Sequence, residues 1–112
     1  MIIYHIVPKR YYESRDPAAD YTPKPFAQDG FIHCTKGAAE MARVANQFYI
    51  HERGPHVYLY IDTRKVKAKI KYEDPGRQYP HIYGALNRDA IVAVRPAARD
   101  KQGKFLPPEK LK

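Results

Sequence analysis

A single stretch of this chain carries a sustained helical period. Ala38, Met41, Val44, Ala45 and Phe48 recur at three- and four-residue spacing, Thr35 stands in position to cap the start, and Gly54-Pro55 closes the end. The period predicts one main helix over about residues 37–52. Beyond it the apolar residues of the second half fall into short extended runs, with no helical stretch to carry a crossover between parallel strands. The pattern therefore fits a small α+β domain with a mixed or antiparallel sheet better than a doubly wound one. The 112 residues are enough for one core and too few for two ordinary domains.

The extended runs can be placed one by one. Residues 2–7 alternate, with Ile3, His5 and Val7 on one face and Ile2, Tyr4 and Ile6 on the other. Pro8 suits the first turn of a short helix reaching about Arg15, which Asp16-Pro17 ends. Residues 20–29 read as loop. Residues 31–35 form a brief strand that sets Phe31, His33 and Thr35 against Ile32 and Cys34. Residues 57–62 are apolar or aromatic on both faces until Asp62, as in a central strand. Residues 67–72, a short run within 81–86, and residues 90–96 complete the set. The last part of the chain, about residues 97–112, reads as a basic tail ending in prolines.

Composition narrows the functional classes. No apolar run approaches the roughly 20 residues of a membrane span, and the start lacks a basic segment ahead of its apolar stretch, so the expectation is a cytoplasmic protein without membrane contact. A single cysteine, Cys34, rules out an intramolecular disulfide and any cysteine-paired zinc site. The net charge of +8 is local: Arg64, Lys65, Lys67, Lys69 and Lys71 crowd one segment without an acid, and the tail is also basic. From Lys65 to Lys71 the lysines alternate with Val66, Ala68 and Ile70. That spacing gives a strand with a cationic face, suited either to RNA or another phosphate ligand, or to guarding a sheet edge against aggregation.

Chemistry falls chiefly to the histidines. His5 and His33 lie mid-strand among apolar neighbours, and His81 lies in YPHIYG; buried imidazoles of this kind either gather in a pocket or simply satisfy backbone carbonyls. His51 and His56 bracket the helix end and read as structural. Glu73 follows the basic strand as a general base, an orienting carboxylate, or an exposed partner for lysine. Cys34 as a nucleophile is disfavoured because alternation turns it away from His33. No HxH, HExxH or paired-cysteine spacing indicates a metal, and no GxGxxG, P-loop or GxSxG is present.

Several blocks in order carry a resemblance: IYHIV at 3–7, GFIHCT at 30–35, VANQFY at 44–49, YLYID at 58–62, KYE at 71–73 and YPHIYGAL at 79–86, with AIVAV and GKFLPP closing. Together they resemble the domain-of-unknown-function family 952 over nearly the whole chain. The resemblance implies an ADP-ribosyltransferase-like fold, a split antiparallel sheet whose cleft holds NAD in the enzymes of that fold. Its nearest functional analogy is the RNA 2′-phosphotransferases, which use a histidine on each of the first two core strands, the places of His5 and His33. One such histidine hydrogen-bonds the nicotinamide ribose, in a pocket that stabilises an oxocarbenium-like centre. Tyr4 stands where those enzymes carry an arginine, and Lys36-Gly37-Ala38-Ala39 opens the helix in which they carry another. Glu73 is the candidate for the glutamate of the protein-modifying transferases.

Two functions follow as expectations. In the first, the chain binds NAD or another nucleotide in a cleft lined by His5, His33, His81 and Tyr83, with Glu73 as the acid–base group and Tyr4, Thr35 and Gly84 flanking the ligand. In the second it is an inert module that holds RNA or an acidic partner through Arg64, Lys65, Lys67, Lys69, Lys71 and the basic tail.

Overall fold

A computed structural model describes residues 1–111. Strand β1 (Ile2–Pro8) runs into helix α1 (Lys9–Ser14), and a long loop leads to the short helix α2 (Phe26–Asp29). Two brief strands follow, β2 (Ile32–His33) and β3 (Thr35–Lys36), and then the main helix α3 (Ala38–Phe48). The rest is extended: β4 (His56–Asp62), β5 (Lys69–Tyr72), β6 (Pro80–Tyr83) and β7 (Ile91–Pro96), with 3-10 turns at Thr63–Lys65 and Arg88–Ala90. This is a small α+β domain.

The strands form two antiparallel sheets. The larger has the order β3-β1-β4-β7 and the smaller β2-β6-β5. In the larger sheet β1 and β4 pair from Ile2 opposite Asp62 to Pro8 opposite His56. β4 is central and every residue in it is buried, because apolar layers cover both its faces. One face packs Ile3, Val7, Val57, Leu59 and Ile61 against Ile32 and Ile82 of the smaller sheet. The other packs Ile6, Tyr58 and Tyr60 against Met41 and Ala45 of α3 and Phe105 of the C-terminal segment.

The tyrosine hydroxyls explain why such large polar-tipped residues can be buried there. Tyr58 donates to the Leu106 carbonyl at 2.8 Å and Tyr60 to that of Glu109 at 2.6 Å. Asn46 of α3 exchanges two hydrogen bonds with the Phe105 backbone, at 3.0 and 2.7 Å, and the Arg99 guanidinium lies 3.9 Å from the Phe105 ring centre. The basic segment 97–111 is thus strapped across α3 and β4; Lys112 lies outside the described residues.

Several expectations are corrected. The expected strand 31–35 is two strands in different sheets, with the exchange at Cys34. The expected loop over 20–29 contains α2, which Gly30 ends by taking φ +76° while its N–H bonds back to Phe26. The main helix stops at Phe48, short of residue 52, and its N-cap is Gly37, because Thr35 is drawn into β3. The lysine-bearing strand starts at Lys69; Lys67 is held before it by a bond from its N–H to the Asn87 side chain at 3.0 Å. His56 is buried between the Gly54 carbonyl and the Glu52 carboxylate, both at 3.1 Å. Among the described residues, no helix is long and apolar enough to cross a membrane.

Candidate functional site

The site arises where the two sheets part. At residues 32–36 the chain serves both. Ile32 and His33 pair with Ile82 and His81 of the smaller sheet, while Thr35 and Lys36 pair with Tyr4 and Ile3 of the larger. The Cys34 N–H still reaches the Pro80 carbonyl at 3.1 Å, and that of Lys36 reaches Gln78 at 2.8 Å. A groove of about 680 Å³ lies between α3 and the segments on either side of this exchange, lined in part by His33, Thr35, Arg43, Tyr79 and His81. That volume lies in the range that encloses small ligands. A smaller recess of about 330 Å³ adjoins it and shares His33, Pro25, Tyr49 and Glu52, with His5 and Phe31 on its wall.

His33 and His81 are directly opposite in the β2–β6 ladder, so their side chains emerge on one face, with ring centres 5.4 Å apart. Each imidazole has its own carboxylate. His33 Nε2 lies 3.0 Å from Asp29, which the turn at Gly30 brings back beside it. His81 Nδ1 lies 3.3 Å from Glu73, and the Tyr83 hydroxyl donates to the same carboxylate oxygen. An ionised carboxylate only accepts, so the facing nitrogen carries the proton and the other, His33 Nδ1 or His81 Nε2, keeps its lone pair. The bonds from Tyr83, and then from His81, hold the Glu73 carboxyl below its ordinary range, and the bond to Glu73 raises the Tyr83 phenol. Phe31 stacks on His81 at 4.2 Å and touches His33 at 4.6 Å and Tyr83 at 5.2 Å. Lys71, opposite His81 in the β5–β6 ladder, sets its ammonium 4.7 Å from the Tyr83 ring centre.

His5 lies one layer beneath. Its Nδ1–H donates to the His33 carbonyl at 2.8 Å and its Nε2 faces the Tyr21 hydroxyl at 3.0 Å, so both nitrogens are occupied. Burial pushes its pKa down to about 4, only partly offset by the carbonyl bond. His5 therefore fixes the backbone that carries His33. Tyr4 points to the opposite face of β1 and meets Tyr60 edge-on at 5.1 Å, away from the groove. Thr35 is buried at its floor. Gly84 ends β6 where a Cβ would lie 2.9 Å from the Cβ of Ala68, so its small size serves the β5–β6 contact.

The lysine face divides in two. Arg64 is bound through two nitrogens to Asp62, at 3.2 and 3.0 Å, and lowers that carboxyl to about 2. Lys65 and Lys67 precede the strand. Lys69 and Lys71 lie exposed on β5, an edge of the smaller sheet, on the side that bears His33 and His81. Cys34 is buried and burial raises its thiol pKa, which keeps it protonated. Among the described residues no three His, Cys, Asp or Glu side chains are grouped as a metal site needs.

The sequence did not single out Arg43, Tyr79, Phe31 or Asp29. Arg43 on α3 bonds Glu40 at 2.7 Å and the Tyr79 hydroxyl at 2.8 Å across the groove. The helical period hides this group, since it lies off the apolar face. Phe31 and Asp29 flank His33 closely enough in the chain that a search for its neighbours would have found them.

Comparison with known proteins places the chain. The sequence model of a family described as a protein of unknown function (DUF952) matches residues 6–94. No curated protein matches. The crystal structure of protein CC0527 from Caulobacter crescentus superposes with a TM-score of 0.77 at 18% identity, covering 96% of this chain and 94% of that one. A double mutant of the same protein gives 0.75 at 17% identity over the same shares. At such identity the likeness is one of fold.

Proposed function

The chain belongs to the family of proteins of unknown function DUF952, and we propose that it is a nucleotide-binding, enzyme-like domain of the ADP-ribosyltransferase type whose ligand sits in the groove between α3 and the His33–His81 face. The observation that carries this reading is the pair of carboxylate-held imidazoles on the wall of a groove of about 680 Å³, with Phe31 and Tyr83 packed beside them. Two antiparallel sheets that part at the segment bearing His33, with His5 on the first strand beneath it, further support the resemblance.

NAD is the first ligand to test. The outer face of the Phe31–His81 stack suits a nicotinamide or adenine ring, and the exposed imidazole of His33 suits a ribose hydroxyl or phosphate. When bound, NAD supplies a glycosidic bond with a ready leaving group. His33 would orient the ribose, Tyr83 would flank the base, and His5 would hold the His33 backbone still. Arg43 is already neutralised by Glu40, so cationic help for a phosphate falls to the imidazoles and Lys71. A cytoplasmic setting belongs to the same reading, supported by the lone unpaired Cys34.

The test is a pair of melting curves, wild type and His33→Ala, with and without millimolar NAD and ADP-ribose. Ligand at roughly 100 times its dissociation constant adds about 2.7 kcal/mol, several degrees for a domain this size. A rise in wild type that is lost in the variant supports the reading. No rise with either ligand sinks NAD as the occupant.

A further inference from the structure

The smaller sheet carries a row of three side chains in register. His33 on β2 is opposite His81 on β6, and His81 is opposite Lys71 on β5. Residues directly opposite in adjacent strands emerge on the same face, so two imidazoles and an ammonium stand in a line across three strands. Beside that row lie Tyr83 and, opposite it on β5, Lys69, with Phe31 against both histidines. The inner face of the same strands is Ile32, Ile82 and Ile70, which anchors the row to the core.

We propose that this face cleaves RNA, with His33 and His81 as the acid–base pair of a 2′-hydroxyl transesterification and Lys71 beside the reacting phosphate. The proposal rests on the nucleotide reading above and names its substrate class. One imidazole is neutral and takes the proton of the ribose 2′-hydroxyl as that oxygen attacks the adjacent phosphorus. The bond from phosphorus to the 5′-oxygen breaks, and the second imidazole, protonated, gives its proton to the departing oxygen. The products are a 2′,3′-cyclic phosphate and a 5′-hydroxyl. The two imidazoles finish with their protonation exchanged and return through water, and nothing is oxidised or reduced.

Each part of the face has a place in that step. Ring centres 5.4 Å apart let two imidazoles hydrogen-bond two oxygens of one phosphate. Asp29 and Glu73 fix which nitrogen of each ring is free. The Lys71 ammonium offsets the charge that accumulates on phosphorus-bound oxygens. Phe31 and Tyr83 offer π faces to unstacked bases, and Lys69 extends the cationic track along the backbone. The same geometry unites the histidine cluster with the part of the lysine run that lies on β5. It also requires a 2′-hydroxyl, the group that separates RNA from DNA.

The experiment incubates the full chain with a mixed-sequence RNA oligonucleotide in EDTA, beside the DNA and 2′-O-methyl versions. Cleavage of RNA alone is expected, with cyclic-phosphate and 5′-hydroxyl ends. His33→Asn and His81→Gln should each lower the rate by about 100-fold or more. Melting curves of both variants check that each is folded, and His33 is exposed enough (60% of its side chain) for replacement to be tolerated. Wild type should pass through a rate maximum in pH, because one ring must be neutral and the other charged. The groups facing them are Asp29, Glu73, Asp74, Tyr83 and Lys71, with His5 beneath His33 and with Arg43 and Tyr79 across the groove. Intact RNA, 3′-hydroxyl ends, or cleavage that survives both histidine variants would overturn the proposal. Binding of the 2′-O-methyl strand, weakened at least tenfold by joint Lys69→Glu and Lys71→Glu changes, separates the two readings. Binding without cleavage retires the chemistry and keeps the nucleotide site, whereas neither NAD nor the uncleavable strand binding retires both.

Discussion

His5 shows how one residue can serve a site it does not face. Its imidazole joins the Tyr21 hydroxyl to the His33 carbonyl inside the core, and burial holds its pKa near 4. The unfolded chain binds a proton there from about pH 6.5 downward, while the folded one resists until about pH 4. The unfolded state thus holds more protons in that window, so stability is full above it and falls as the pH drops through it, by about 3 kcal/mol in all. His5→Phe keeps a ring of similar size but leaves two buried groups unpaired, at about 1–3 kcal/mol near neutral pH. Urea titrations at pH 7 and pH 4.5 should find the variant weaker at pH 7 and less sensitive to acid. An unchanged acid response would remove His5 as its source. The sequence placed His5 and His33 on the first two strands of the chain but left open whether they met a ligand or a carbonyl. Strand alternation tells which face a side chain takes; it does not tell which nitrogen finds a partner.

At the scale of elements, periodicity was informative wherever one element met one environment. The apolar spacing of α3 predicted a helix and the two-faced apolar run of β4 a central strand, and both are present. It failed where one extended run served two sheets, because Ile32–Lys36 alternates in the same way on both sides of Cys34. It failed again at α2, four residues long, where the prolines at 23 and 25 look like loop punctuation. The pairing of His33 with His81 lay out of reach, since it depends on the register of β2 against β6, two strands far apart in the chain. The β5–β6 hairpin has its own tight point at Gly84. Gly84→Ala would set a methyl 2.9 Å from that of Ala68 and should cost about 1–3 kcal/mol through forced separation of the strands. Adding Ala68→Gly should recover much of the loss, and denaturation of the single and double variants measures the coupling. If the double variant were as weak as the sum of the singles, the contact would not be the cause.

For the whole molecule, the two sheets and the strapped C-terminal segment enclose cores on both faces of β4, and Cys34 sits at the joint between the sheets. A buried, protonated thiol at that place reports on the integrity of the entire fold. Labelling by a disulfide reagent should be negligible in native conditions and should accelerate with denaturant along the global unfolding transition. Rapid labelling in the absence of denaturant would mean that the sheets part locally at Cys34 while the remainder stays folded.

The exchange at Cys34 also limits how such a chain can vary over generations. Residues 32–33 and 35–36 belong to different ladders, so the count of residues between them sets which way each side chain turns. A one-residue insertion there would turn His33 inward or Thr35 outward, even if every inserted atom were harmless. Residues 75–77, the exposed tip of the connection between β5 and β6, have room to lengthen. Across descendants of this sequence, length is the quantity expected to hold still between Ile32 and Lys36, while spelling is free to drift around the histidine.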